Sequence, residues 1–78
     1  MAEVKLPEIA DGVTRAVISM WHFGEGDTVR QDDDFVEFVT DKATFNMPSP
    51  FSGKVTKLMF AEGEAVNVGE VIAIIEKI

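Results

Sequence analysis

The sequence predicts an all-β domain, a sandwich of two equivalent halves related by a two-fold pseudosymmetry. Three observations carry that expectation. Pro and Gly recur too often along the 78 residues to leave room for a helix of ordinary length. The runs between them are rich in Val, Ile, Phe and Thr, with the alternation of half-buried strands. Residues 16–29 also lie over residues 53–66 without a gap, so that Phe23, Glu25, Gly26 and Val29 match Phe60, Glu62, Gly63 and Val66. The register continues to Phe35 over Ile72 and Phe38 over Ile75. Two β units with apolar residues in register are expected to cover each other's apolar faces.

The elements follow in order. Val4-Lys5-Leu6-Pro7 alternates and ends on a proline, which suits an edge strand. Asp11-Gly12 marks a turn, and residues 16–23 form a strand. Gly24-Glu25-Gly26-Asp27 is a turn whose recurring glycine, Gly26 and then Gly63, signals a backbone that needs φ > 0. Residues 28–30 form a short strand, and the acidic run Gln31-Asp32-Asp33-Asp34 a solvated turn. Residues 35–39 and 43–47 are strands joined through Asp41-Lys42, a hairpin with Lys42 at its tip. Met47-Pro48-Ser49-Pro50 interrupts any ladder and turns the chain. Residues 54–60, 66–68 and 71–76 complete the strands. Trp21, Phe23, Phe38, Phe45 and Phe60 are expected in the core or packed on the sheets.

Composition limits function. An apolar fraction of 46% fits one globular domain, residues 1–78, and argues against disorder. A net charge of −7 discourages binding to nucleic acid or to an anionic membrane surface. No apolar run approaches the roughly 20 residues of a membrane span. With no cysteine and one histidine, His22, no nucleophilic or metal constellation can be assembled. Asp32-Asp33-Asp34 lacks the spaced ligands and distal Glu of a calcium loop. The start of the chain has no signal-peptide core or transit pattern, so a cytoplasmic protein or a segment of a longer one is expected.

What remains is Lys42, at the centre of the chain. Ile78 stands where the repeat places the counterpart of Asp41, so Lys42 lies just past the end of the first unit. The pseudosymmetry therefore sets the lysine and the chain ends at opposite ends of the molecule. Thr40-Asp41-Lys42-Ala43, followed by Pro48-Ser49-Pro50 and Gly53, resembles the lipoyl domain of the acyltransferase component of 2-oxo acid dehydrogenase complexes. Gly26-Asp27-Thr28-Val29 and Leu6-Pro7 fit the same pattern, and the resemblance covers essentially the whole chain.

The resemblance implies a flattened β-barrel, or barrel-sandwich hybrid, of two four-stranded antiparallel sheets. It implies lipoic acid attached as an amide to Lys42, with Asp41 and Ala43 as flanking recognition residues and Gly26 in a turn near the hairpin. It implies a non-catalytic carrier that takes acyl groups and reducing equivalents between a thiamine-dependent decarboxylase, an acyltransferase core and a dihydrolipoamide dehydrogenase. A lipoate-attaching enzyme is a further implied partner. The implied location is the cytoplasm of a bacterium or archaeon, or the mitochondrial matrix. Val39 departs from the acidic residue that many relatives carry three positions before the lysine, and Ala16 from a frequent glycine. A biotin carrier domain shares the fold, but methionines usually flank its lysine where Asp41 and Ala43 stand here. The glycine-cleavage carrier is normally longer and partly helical. An unmodified scaffold of the same fold would require no lysine at the tip.

Overall fold

In the computed structural model, which describes residues 1–9 and 11–77, the described residues form eight strands and no helix. They are β1 (Ala2–Lys5), β2 (Arg15–Trp21), β3 (Thr28–Val29), β4 (Asp34–Val39), β5 (Thr44–Pro48), β6 (Gly53–Leu58), β7 (Ala65–Asn67) and β8 (Val71–Lys77). They pair into two antiparallel four-stranded sheets, ordered β1-β8-β6-β3 and β5-β4-β2-β7. Inward residues of both sheets form one core, which includes Val4, Ile18, Phe35, Phe38, Val55, Val66, Ile72 and Ile75. The expected class and the two-sheet arrangement are what the chain adopts.

The two-fold relation extends to the irregularities. The β2–β4 ladder slips between Ile18 and Met20, and the β6–β8 ladder slips between Val55 and Lys57, the matching place. Such a slip is a bulge, in which one extra residue bends the strand. A second pair of bulges explains a departure from alternation. Phe35 and Val36 are consecutive yet both buried, because the β4–β5 register shifts between Asp34 and Val36. Ile72 and Ala73 do the same in β8 beside β1, which pairs Val4 with Ala73 and Lys5 with Val71. Simple alternation would have sent one residue of each pair to solvent.

The repeated Glu-Gly turns are also built alike. Gly26 and Gly63 have φ of 94° and 92°, where an L side chain is strained. Gly26 donates its N–H to Val55 O at 2.7 Å, and Gly63 donates to Ile18 O at 2.7 Å. The acid before each glycine reaches across the sandwich: Glu25 accepts from the Leu58 N–H at 2.9 Å, and Glu62 from the Trp21 N–H at 3.0 Å. The acid after it closes its own turn, Asp27 on the Gly24 N–H and Glu64 on the Ala61 N–H, both at 2.8 Å. The recurring motif is thus a four-residue clasp in which two carboxylates satisfy backbone donors that the turn leaves open.

Three sequence expectations need correction. Pro48 still belongs to β5 with the expected Met47, and the chain turns only after it. A proline is tolerated there because β5 is a sheet edge and Pro48 is its last residue. Phe45 is only half-buried, since it too lies on that edge strand. Residues 59 and 60 leave β6 because Met59 turns its N–H to Ile72 O, as His22 does to Phe35 O.

Candidate functional site

The β4–β5 hairpin carries Lys42. Val39 pairs with Thr44, leaving Thr40-Asp41-Lys42-Ala43 as the turn. Neither Asp41 nor Lys42 has a positive φ, so this is not one of the primed turns that match strand twist. The closing hydrogen bonds are supplied differently. The Thr40 N–H donates to Ala43 O at 2.8 Å. The Thr40 hydroxyl accepts the N–H groups of Lys42 and Ala43, at 3.2 and 3.1 Å, and donates to Ala43 O at 3.1 Å. Thr40 therefore ties the turn from its first position, which is how a hydroxyl stands in for a backbone partner.

Asp41, Lys42 and Ala43 are all exposed. The hydrogen bonds of the turn run through backbone groups and the Thr40 hydroxyl, so the Lys42 amine stands outside that network. The registers also set the hairpin at one end of the molecule. The end of β4 lies beside the start of β2, and the start of β2 beside the end of β7, which feeds β8. β8 then runs away from the hairpin, to Lys77 paired with Gly53 and Ile75 paired with Ala2. Lys77 and the start of the N-terminal strand thus lie at the end opposite Lys42. Ile78, on which the expectation was framed, lies outside the described residues.

The remaining candidates do not join the hairpin. Gly26 is bonded to Val55 of β6, in the sheet that does not carry Lys42, and its counterpart Gly63 is the one beside the hairpin's sheet. The expected placement of Gly26 near the hairpin is therefore corrected: the β2–β3 turn it occupies packs on the other sheet. His22 is exposed, with Nε2 at 2.9 Å from Asn46 Oδ1. The acidic run is a turn: Asp32 sits at φ 75° and donates to Ser49 O at 2.8 Å, and Asp33 accepts from the Arg30 N–H at 3.1 Å. No cluster of metal-ligating side chains occurs among the described residues. Sequence reasoning missed Thr40 as a functional side chain. The signal was present, because a Thr opening a turn of weak turn formers is a recognised way of closing it.

A small two-fold β sandwich with an exposed lysine held at a tight hairpin tip defines a class, the domains that bear a covalently attached carrier group. The comparisons with known proteins agree. The family model described as biotin-requiring enzyme, the biotin–lipoyl family, matches residues 2–75. The lipoamide acyltransferase component of the branched-chain alpha-keto acid dehydrogenase complex of Bacillus subtilis is 38% identical over 74 residues, covering 95% of this chain and 18% of that protein. The dihydrolipoyllysine-residue acetyltransferase component of the pyruvate dehydrogenase complex of Staphylococcus aureus is 39% identical over 74 residues, covering 95% of this chain and 17% of that one. This chain thus spans less than a fifth of those relatives. The solution structure of the lipoyl domain of the 2-oxoglutarate dehydrogenase complex from Azotobacter vinelandii superposes with a TM-score of 0.78 at 22% identity, covering 99% of this chain and 98% of that one. A urea carboxylase from Kluyveromyces lactis shares the fold over 96% of this chain and 7% of its own, with a TM-score of 0.63 at 24% identity. The chain belongs to the biotin–lipoyl family, and the curated relatives it matches are acyltransferase components of 2-oxo acid dehydrogenase complexes.

Proposed function

We propose that residues 1–78 act as a carrier domain with lipoic acid joined as an amide to Nζ of Lys42, serving a 2-oxo acid dehydrogenase complex. The observation that carries this reading is the exposed Lys42 at the tip of a hydrogen-bonded hairpin, at one end of a rigid sandwich, in a chain of this family. The related acyltransferase components support lipoate over biotin, as do Asp41 and Ala43 where a biotin carrier usually has methionines. When attached, the lipoyl group supplies a disulfide at the end of a flexible arm, able to accept an acyl group with two electrons and to release both.

The work of this chain is to display and deliver. Lys42 contributes the nitrogen of the amide, and amide formation removes its positive charge. Thr40 holds the two backbone N–H groups of the tip, so the point of attachment is fixed while the arm beyond it swings. The domain, tethered within a larger assembly, raises the effective concentration of its arm at each active site. The partners on this reading are a thiamine-dependent 2-oxo acid decarboxylase, an acyltransferase core, a dihydrolipoamide dehydrogenase and a lipoate-attaching enzyme. The compartment is that of such complexes, the cytoplasm of a bacterium or archaeon or the mitochondrial matrix.

The test is intact mass with peptide mapping. The chain is incubated with ATP and either a lipoate ligase and lipoate or a biotin ligase and biotin, beside a Lys42→Ala control. The expected result is a lipoyl increment on Lys42 and none on the control. A biotinyl increment alone would move the domain to a carboxylase, and modification by neither ligase would leave an unmodified scaffold.

A further inference from the structure

The two-fold relation provides an internal control for every outward position. On the sheet that carries the hairpin, Val17 pairs with Val39, and both point to solvent, 39% and 37% exposed. Ala65 flanks Val17 on the other side. A constant offset of 37 positions, Ala16 to Gly53, gives their counterparts on the second sheet: Lys54, paired with Glu76, and Thr28, which flanks Lys54. Both members of that pair are exposed. The fold therefore accepts an oppositely charged pair at this rank, and the hairpin's sheet carries two valines instead. The next outward rank is mixed on both sheets, Met20 with Glu37 and Lys57 with Ile74. Of these two ranks, only the one closest to Lys42 is apolar on both strands.

That rank is also where the surface is indented. A shallow pocket of about 310 Å³ is lined by Arg15, Ala16, Val17, Val39, Thr40 and Asp41. It begins at the two residues that precede Lys42, so a long side chain attached there starts at its rim. The two valines, in a lining that also includes Arg15, Thr40 and Asp41, favour an occupant that is largely apolar, carries at most an uncharged polar group, and is tethered at that rim. On the carrier reading, the amide-linked arm has those properties, with a saturated carbon chain and a dithiolane ring and no charge at the lysine.

We infer that the Val17–Val39 rank is a resting surface for the modified Lys42 arm, which lies back against its own domain between deliveries. The contact is weak and reversible, because the surface is open and the arm must leave it to react. The inference rests on the carrier reading of Lys42, and its test is arranged so that the two can fail separately.

The test uses the lipoylated chain, with attachment verified by intact mass, and a charge-neutral Val17→Lys/Val39→Glu variant that copies the Lys54–Glu76 pair. Nuclear Overhauser contacts are measured between arm protons and the methyl groups of Val17 and Val39. After reduction of the arm, the rate of its alkylation by iodoacetamide is compared in the two proteins. Contacts to both valines are expected in the parent chain, and alkylation is expected to be about threefold faster in the variant, as a small apolar contact is lost. Circular dichroism and a thermal melt check that the variant keeps the fold, and Val17→Ser/Val39→Thr supplies a milder pair if it does not. A lipoylated chain with no contacts to Val17 or Val39 and equal alkylation rates overturns the resting surface and leaves the carrier reading intact. Failure of lipoylation at Lys42 overturns both.

Discussion

At the scale of the residue, one tightly constrained position, Gly53, has a partner in the repeat that is not constrained. Ala16 and Gly53 occupy equivalent places, and Ala16 is buried with its methyl accommodated. A Cβ at Gly53 would run into the carbonyl of Glu76 and lie 2.8 Å from the Ile75 side chain. The φ of Gly53 is not positive, so space, not backbone conformation, selects glycine here. Backbone cannot move aside as a flexible side chain can, because Gly53 is locked in ladders with both Val29 and Lys77. Gly53→Ala is therefore expected to cost at least about 2 kcal/mol, in the range of overpacked cores. Ala16→Gly should cost only about 0.5–1 kcal/mol. Urea denaturation of the two variants measures both, and equal effects would show that the symmetric positions are packed alike after all.

At the scale of the element, the hairpin shows how a turn of poor turn formers is held. Three hydrogen bonds converge on one hydroxyl, that of Thr40. Thr40→Val keeps the shape and removes the oxygen. We expect it to destabilise the domain by about 1–2 kcal/mol, roughly the worth of one or two net hydrogen bonds. It should also slow lipoate attachment at Lys42, because the tip no longer holds one geometry, while Thr40→Ser restores both. The readouts are a thermal melt and the initial rate of the ligase reaction; a Val variant modified at the parent rate would sink this account of the turn. The strands and the hairpin were legible in the sequence because composition and punctuation mark them locally. The position of Lys42 opposite Lys77 was legible because the repeat encodes it. The bulges that bury Phe35 with Val36, and Ile72 with Ala73, were not, since a one-residue slip in register depends on the partner strand and leaves no local mark. The place of Gly26 was missed for a related reason, as its hydrogen bond goes to a strand nearly thirty residues further along the chain. Gly53 was visible as a glycine, but the reason for it lies in β8.

At the scale of the whole molecule, the two repeat units are not two subdomains. β1 and β2 belong to the first unit by sequence, yet β1 pairs with β8 and β2 takes β7 as its outer neighbour. β3 pairs with β6, and β5, from the second half of the chain, completes the first unit's sheet against β4. Each sheet is thus built from both halves, and each half alone keeps only the β2–β4 or β6–β8 ladder among its long pairings. The core is shared in the same way, with Val4, Ile18, Phe35 and Phe38 packed against Val55, Val66, Ile72 and Ile75. The one place where the chain crosses between halves on local contacts alone is the turn at Asp41-Lys42. A break between those residues removes no strand pairing. The fragments 1–41 and 42–78 are therefore expected to be unfolded separately, since two strands with an open apolar face are not stable in water. Mixed, they should rebuild the sandwich with a dissociation constant of about 1 μM or tighter, as expected for an interface that is a domain core cut in half. Far-ultraviolet circular dichroism of each fragment and a titration of one with the other measure this. A fragment that folds alone would mean that the repeat unit is self-sufficient and that the exchange of strands between halves is not what holds the domain together. Folded recovery on mixing would show instead that the covalent link at Asp41-Lys42 is not needed for the fold, which leaves those two positions free to be set by what Lys42 must present.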